Sequence, residues 1–410
     1  MLLWLRRPES LLNAQFWAED GGVFFQQQLL HGFWRSLAQP YSGYIHVIPR
    51  LIAAVMSFLP VRSTPLGYNA SALLIEAVSC SAFFWPCYRK IIASDKLRAT
   101  CCLAMTASTV VGSELIATVS NLQWYLCVLS VLLMVAGGHQ STEKAAEVWL
   151  SIAQVFIALT APTTLLFIPF LLWQVKNKPG CLKVRPVLHL AALFLQVWIM
   201  RQDNAAPKAA FHFDSLFLAT LSSGLSRCIL APMIGTRFLT YNSEVALFTK
   251  LVLALSLGVA FATLLAVRLQ GSPRLRWLLC AAYIGIGSLL AVLWGRGVVK
   301  EFLSLDGLRN YTAERYFFIG TCMFIFCVAL AIDTFTQTMK YGIAAVLLAG
   351  AFALGTVRNF PAKTFVDLHW IDSAAKIEKW EIASRRHERV ESISVPINPP
   401  NFVLILDDND

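Results

Sequence analysis

The sequence is poor in charged residues for its length. Asp, Glu, Lys and Arg make up 14% of the 410 residues, whereas hydrophobic residues make up 57%, and the mean hydropathy is +0.60. Soluble domains typically carry about 25% charged residues. The composition is typical of a protein that crosses a membrane several times and has the bilayer as its solvent.

The sequence also lacks the short motifs of soluble-cofactor chemistry. It contains no P-loop, GxSxG, HExxH or dinucleotide fingerprint, and its ten cysteines form no CxxC pair. The net charge of +10 indicates basic cytoplasmic loops rather than a nucleic-acid partner, so membrane lipids are the expected surroundings. Met1 to Leu12 has no apolar core of a signal peptide, so insertion relies on later helices.

Apolar runs predict the membrane spans, each of which needs roughly 20 residues. One run, 149–175, is too long for a single helix and is interrupted at Pro162, which leaves a kinked span or a hairpin of two short helices. The remaining predicted spans are 67–88, 99–118, 122–138, 185–200, 245–268, 277–294, 316–333 and 341–357.

Three short linkers are basic, namely Arg89 to Arg98, Lys176 to Arg185 and Arg268 to Arg276. Positive loops stay in the cytoplasm, so all three are expected on one side. Only a hairpin at 149–175 returns the chain to that side between the first and second linkers. The sequence therefore predicts an all-α polytopic membrane protein with a bundle of about ten spans.

Two further apolar stretches, Ile45 to Pro60 and Ser215 to Gly235, are interrupted by prolines and charges, and we interpret them as interfacial or re-entrant helices. This interpretation divides the chain into an extracytoplasmic first segment at 1–66, a transmembrane bundle at 67–357 and an extracytoplasmic tail at 358–410. The tail shows one amphipathic helix and two short strands, a small α+β cap. The alternatives are that a span precedes the present start, or that 45–60 itself crosses and the first segment is cytoplasmic.

The first candidate site lies in "NAQFWAEDGGVFF". Glu19 and Asp20 stand among aromatic residues, where a partly desolvated carboxylate is suited to accept a proton or to bind a divalent cation. Gly21 and Gly22 would let a ligand approach the backbone closely. The alternative is an ordinary acidic first turn of a helix.

The second candidate cluster, in "GSELIATVSNLQWYL", contains Glu114, Asn121 and Trp124. Polar groups at the predicted depth usually line a site or bind one another. The alternative is a solvated turn with an interfacial tryptophan.

Cations form the third group. Arg309 and Arg315 lie in "LRNYTAERYFF", and the planar fork of arginine is suited to grip phosphate. His46 and Arg50 are four residues apart, so on a helix they share a face that could look toward the acidic pair. Interface anchoring is the alternative for all four residues.

Taken together, "WAEDGGVFF", "PYSGYIHVIPRL", the "ERY" loop, the basic linkers and the small cap resemble the GT-C superfamily. These are polytopic glycosyltransferases that use a polyprenyl-phosphate-linked sugar, and the first two motifs look like the first loop of bacterial members that decorate surface polysaccharide. Members normally have a helix before that loop, which this sequence lacks. The resemblance implies a bacterial inner-membrane protein with its site facing the exterior and a glycan or lipid-glycan acceptor.

The resemblance also implies roles for individual residues. Asp20, with Glu19 beside it, would act as general base on the acceptor hydroxyl or help to hold a divalent cation such as Mg or Mn. The other implied roles are donor-phosphate binding by Arg309, Arg315, Arg50 and His46, and substrate binding by Glu114, Asn121 and Trp124.

Two rival functions remain at this point. A transporter or flippase of lipid-linked sugars could use the same acids and arginines. Against it, the polar clusters fall in loops and the predicted spans contain few buried charges, with Glu76 and Lys250 as the exceptions. A membrane acyltransferase usually needs a histidine deep in the bundle, and among the histidines His189 alone lies in a predicted span.

Overall fold

A computed structural model of the protein describes residues 1–107, 114–136, 144–177, 183–202, 213–235, 258, 270, 272–304, 313–335, 342–388 and 390–407. The described chain is mostly helical and ends in a small two-stranded sheet, as the sequence predicts. The helices before the first long span are α1 (Leu2–Arg6), α2 (Glu9–Leu12), α3 (Gln26–Ala38) and α4 (Val47–Met56). The bundle follows with α5 (Thr64–Ser81), α6 (Asp95–Ala107), α7 (Leu122–Ala136), α8 (Lys144–Ala158), α9 (Ile168–Asn177), α10 (Val184–Gln202), α11 (Phe213–Ser223), α12 (Ala231–Ile234), α13 (Pro273–Arg296), α14 (Phe318–Phe335) and α15 (Gly342–Asn359).

Several of these helices have the length and apolarity that a membrane demands. Within the described residues, five segments could cross a bilayer, or six if α8 and α9 count as one bent span. The five are Val61–Lys90, Val184–Gln202, Phe213–Ile234, Arg274–Arg296 and Glu314–Thr334. The chain therefore has the helices of a multi-pass membrane protein. The predicted span 245–268 lies outside the described residues except for residue 258.

The segment predicted as a hairpin does turn back on itself. Helices α8 and α9 meet at a 118° bend beside Pro162. Glu147 near the start of α8 lies 3.7 Å from Arg185 at the start of α10, whereas Thr160 at the bend accepts a hydrogen bond from the Ile48 amide. Both open ends of the pair thus lie at one end of the bundle and the bend at the other.

The basic linkers meet at one end of the bundle. Asp333, near the end of α14, binds Arg274 of α13 at 3.0 Å and accepts from the amide of Ala93 in the linker after α5. Tyr88, Trp173 and Arg276, which flank the three linkers, line one common cavity. We call this the basic-linker end. The three linkers lie together there, as their shared positive charge predicts.

The opposite end carries the acidic motif, and we call it the acidic-loop end. The tail covers this end with α16 (Trp370–Arg385) and an antiparallel hairpin of β1 (Ile393–Ile397) and β2 (Phe402–Leu406). Phe16 packs edge-on against Trp370 with ring centroids 4.9 Å apart, and its carbonyl accepts from the Asn398 amide. The first segment and the tail therefore form one layer over the bundle.

The predicted span 99–118 is wrong at its C-terminal end. Helix α6 is described as Asp95–Ala107, and residues 114–121 form a loop with Ala117 in the left-handed region at φ 59°. Buried carboxylates of other segments accept the loop's amide N–H groups, Glu76 from Ala117 and Asp20 from Val119 and Ser120. Amides bound in this way cannot continue a helix.

The two stretches interpreted as interfacial or re-entrant differ in length. Helix α4 has ten residues, about half of what a span needs. Phe213–Ile234 is long and apolar enough to cross a membrane, so for this stretch the interpretation stays a prediction, and three of its contacts lie at the acidic-loop end. Ser222 donates to the carbonyl of Phe302, Arg227 binds Glu314, and the Ala231 carbonyl accepts from Asn359 beside the cap.

Candidate functional site

The acidic pair lies where the first segment turns into a π-helical stretch, Asp20–Phe25. Such widened turns are frequent at functional sites. Asp20 is fully buried, and its two carboxylate oxygens accept from the amides of Val119 at 2.9 Å and Ser120 at 2.7 Å. Burial raises the pKa of Asp20 to about 7, although both amide donors oppose the shift. Asp20 thus binds the first segment to the 114–121 loop, and neither of its carboxylate oxygens is accessible to a substrate.

Glu19 has the opposite environment. Its side chain is partly exposed, and among the described residues it makes no hydrogen bond or ion pair. Its charge helps to raise the pKa values of Asp20, Tyr41 and Tyr44, so it lies near both tyrosines. A carboxylate that is close to buried polar groups and free to accept a proton is suited to act as a general base.

The segment after α3 places aromatic rings near Glu19. The hydroxyl of Tyr44 donates to Oε1 of Gln123 at 2.9 Å, which ties the segment to the start of α7. The ring of His46 packs at a tilt against Tyr44 and Phe24, with ring centroids 4.2 Å and 5.3 Å away. Burial raises the pKa of Tyr44 to about 12, so its phenol stays protonated and serves as a donor at neutral pH.

The phosphate-binding roles of His46 and Arg50 stay predictions, and both side chains are buried. Burial and the charge of Arg50 lower the pKa of His46 to about 3, so the imidazole is neutral at physiological pH. Arg50 is 2% exposed, donates to Oε1 of Gln27 and lies 5.5 Å over the ring of Phe24. Its Nε and Nη2 atoms have no hydrogen-bond partner among the described residues.

The "ERY" segment joins three parts of the acidic-loop end. Glu314 forms a buried ion pair with Arg227 at 2.5 Å, and Arg315 binds the carboxylate of Glu114. Arg315 also lies 4.9 Å over the ring of Tyr316. The segment therefore positions one arginine side chain, about a quarter exposed, beside the 114–121 loop.

The second predicted cluster forms part of this scaffold. Asn121 donates to the Glu114 carbonyl at 2.7 Å and closes the turn, so its amide supports the loop. Trp124 is 3% exposed and packs against Tyr316 with centroids 5.6 Å apart. The structure thus brings Glu114, Asn121, Trp124 and Arg315 together as neighbours, while Arg309 lies outside the described residues.

One cation near the site was assigned no role from the sequence. Arg296, the last residue of α13, is exposed and lies close enough to Tyr41, Tyr44 and His46 to lower the pKa of each. Among the described residues it makes no hydrogen bond or ion pair. A basic residue at the end of a long apolar helix was a visible signal, but only the fold places it near the tyrosines that Glu19 also approaches.

The described carboxylates do not fit a metal ion held by both acids. Each oxygen of Asp20 is occupied by an amide N–H, and Glu114 is paired with Arg315. No group of three or more His, Cys, Asp or Glu side chains with metal-site spacing occurs in the described residues.

The described residues at this end therefore include one partly exposed carboxylate, protonated tyrosines, the exposed Arg296 and the partly exposed Arg315. Comparison of the chain with protein-family models, with curated protein sequences and with solved structures found no match.

Proposed function

We propose that the protein is a membrane glycosyltransferase that moves one sugar from a polyprenyl-phosphate donor to a hydroxyl of a glycan or lipid-glycan acceptor. The observation that carries the proposal is Glu19, a partly exposed carboxylate that makes no ion pair within the described residues and lies near Tyr41, as Arg296 and Arg315 do. A base and cations around one tyrosine match the two charges that develop in such a transfer.

In this proposal Glu19 accepts the proton of the acceptor hydroxyl as that oxygen attacks the anomeric carbon. The bond between the anomeric carbon and the phosphate oxygen breaks, and the lipid phosphate leaves with an added negative charge. Arg296 and Arg315 stabilise that charge. A single displacement inverts the anomeric configuration. The ten-span GT-C architecture and an extracytoplasmic site belong to the same proposal.

Asp20 takes a positioning role instead of the general-base role that the motif suggested. Its bonds to Val119 and Ser120 hold the π-helical turn against the 114–121 loop. That turn fixes the direction in which the preceding residue, Glu19, points. Loss of Asp20 should therefore reduce the amount of folded protein as well as its activity.

Mass-spectrometric profiles of surface glycans and glycolipids test the proposal without a guess at the substrate. Cells lacking the protein would be complemented with wild type, Glu19→Gln or Glu301→Gln, an exposed acid of the same end. We expect wild type and Glu301→Gln to restore one sugar mass. Glu19→Gln should be inserted at normal levels and lower the transfer rate by about 10²–10⁴-fold.

Full restoration by Glu19→Gln would refute the assignment of the base. Unchanged glycans with an accumulated lipid-linked precursor in the deletion strain would replace the transferase with a transporter. In the described residues the ionisable side chains of the candidate site gather at one end of the bundle, which is the arrangement expected of a transferase rather than of a path across the membrane.

A further inference from the structure

An apolar cavity lies at the basic-linker end, away from the candidate site. Its volume is about 460 Å³, within the roughly 300–1,000 Å³ of small-molecule pockets. Buried side chains of α6, α7, α13 and α14 form its inner wall, including Met105, Val128, Ile284 and Phe326.

The mouth of the cavity faces the lipid. Trp173 and Leu279, which line it, are 59% and 60% exposed. Both belong to helices of the bundle, so in a bilayer their exposed surfaces meet acyl chains rather than water. The cavity is therefore an apolar cleft that opens sideways between α9 and α13.

The edge of the cavity carries one cation. Among the described lining residues Arg276 is the charged one, and its side chain is exposed. Its neighbour Arg274 is already bound by Asp333 at 3.0 Å, whereas Arg276 forms no ion pair within the described chain. An apolar cleft with a cation at its end is complementary to an anionic lipid.

Helix α13 sets the distance between this cavity and the candidate site. Arg276 is in its first turn and Arg296 is its last residue. Twenty residues at about 1.5 Å each separate them by roughly 30 Å, the thickness of a hydrocarbon core. A lipid whose phosphate lies at Arg276 is therefore anchored in the opposite leaflet from one whose phosphate lies at Arg296.

We propose that this cleft binds one acyl chain of an anionic phospholipid from the leaflet at the basic-linker end, with the lipid phosphate at Arg276. The three basic linkers at this end attract the same leaflet charge. A sugar donor that reacts at Glu19 has its phosphate at the other end of the bundle, which is why the occupant is a phospholipid of this leaflet. The choice of a phospholipid over the sugar donor rests on the proposed function, whereas the apolar cleft and its cation do not.

Photo-crosslinking of the full-length protein in vesicles tests the site. The probe is phosphatidylglycerol with a diazirine in one acyl chain, and labelled peptides are mapped by mass spectrometry. Ala281→Trp fills the cleft, because Ala281 is 3% exposed and lines it. Ala282→Trp is the matched control, since Ala282 is exposed on the same helix and is not part of the lining.

We expect wild type and Ala282→Trp to label α7 and α13 equally, and Ala281→Trp to lose most of that labelling. Equal labelling of all three proteins would mean ordinary boundary lipid and would overturn the proposal. Stronger competition by unlabelled polyprenyl phosphate than by phosphatidylglycerol would overturn the assignment of the occupant.

A variant at the edge keeps the proposal testable even if Ala281→Trp fails to fold. Arg276→Gln should lower the preference for phosphatidylglycerol over phosphatidylcholine by roughly fivefold, since a basic residue gains ~1 kcal/mol near an anionic lipid surface. Lys96→Gln removes an exposed charge at the same end and should leave that preference unchanged. Equal effects of both variants would reduce the role of Arg276 to general surface charge and refute its contact with the phosphate.

Discussion

Burial moves the pKa of Asp20 and the pKa of His46 in opposite directions. Burial raises the pKa of Asp20 from 3.8 to about 7, because the charged carboxylate loses more hydration free energy than the neutral acid does. Burial and the charge of Arg50 lower the pKa of His46 from 6.5 to about 3. Between pH 3.8 and 6.5 the folded protein therefore holds a proton on Asp20 that the unfolded chain has lost, and lacks on His46 a proton that the unfolded chain carries.

These two residues give the free energy of unfolding opposite slopes with pH. The contribution of Asp20 is fully present below pH 3.8 and is lost as the pH rises through about 7. The contribution of His46 is present above pH 6.5 and is lost as the pH falls toward about 3. In the wild type the slopes oppose each other. We expect the melting temperature to rise with pH more steeply in Asp20→Asn than in wild type, and to fall in His46→Gln.

Thermal melts of the purified protein in detergent, followed by tryptophan fluorescence from pH 4 to 7, measure these slopes. One unbalanced proton changes the free energy of unfolding by at most ~1.4 kcal/mol per pH unit. Glu301→Gln, a change at an exposed acid, should follow the wild-type curve. Parallel curves for all variants would show that Asp20 and His46 titrate alike in the folded and unfolded chains.

At the scale of elements, the C-terminal hairpin supports the acidic turn. A Cβ atom added at Gly21 would lie 3.1 Å from Cβ of Phe16 and 3.2 Å from Cδ1 of Ile397 in β1. At Gly22 the nearest atoms are 3.5 Å away or more. The glycine pair that was predicted to admit a ligand instead contacts the hairpin, and Gly21 is the position where an added Cβ would require its neighbours to shift.

The prediction for this contact uses the two glycines as a matched pair. We expect Gly21→Ala to lower the free energy of unfolding by about 1–3 kcal/mol, the usual cost of overpacking a filled contact. Gly22→Ala should cost less, because its methyl group meets ordinary van der Waals distances. Urea or thermal unfolding of both variants gives the comparison. Equal losses would mean that the hairpin moves aside freely.

At the scale of the whole molecule, the described chain divides its loops between two ends. The linkers after α5 and α9 meet at the basic-linker end, whereas the acidic motif and the tail cover the acidic-loop end. Introduced cysteines test this division in intact cells, since the native cysteines of the described residues are buried or partly buried. Exposed positions are Lys96 and Lys176 at the first end and Glu301 and Lys379 at the second.

We expect a membrane-impermeant maleimide to label Glu301→Cys and Lys379→Cys as one group, and Lys96→Cys and Lys176→Cys as the other. By the positive-inside rule the first group should react from outside and the second only after permeabilisation. The cysteine-containing wild type supplies the background. Labelling that split either pair would contradict the arrangement of the bundle, whereas complete reversal would contradict only its orientation.

Hydropathy and charge in the sequence determined the helical class, the hairpin around Pro162, the grouping of the basic linkers and the helix and strands of the cap. Each of these features depends on local composition or on a count of membrane crossings, so the sequence predicts it without knowledge of tertiary contacts. The loop at 114–121 was missed because its amides are bound by Asp20 and Glu76 from distant segments.

Tertiary structure alone decided which of two adjacent acids is accessible. Glu19 and Asp20 differ by one methylene group and stand next to each other, so nothing in "WAEDGG" ranks them. Folding buries Asp20 against two amides from the 114–121 loop, about a hundred residues away, and leaves Glu19 near Tyr41 with no partner among the described residues. Folding also places Arg296, the last residue of α13, at the acidic-loop end. Burial and charge at a site depend on contacts between distant segments, and a linear pattern does not contain them.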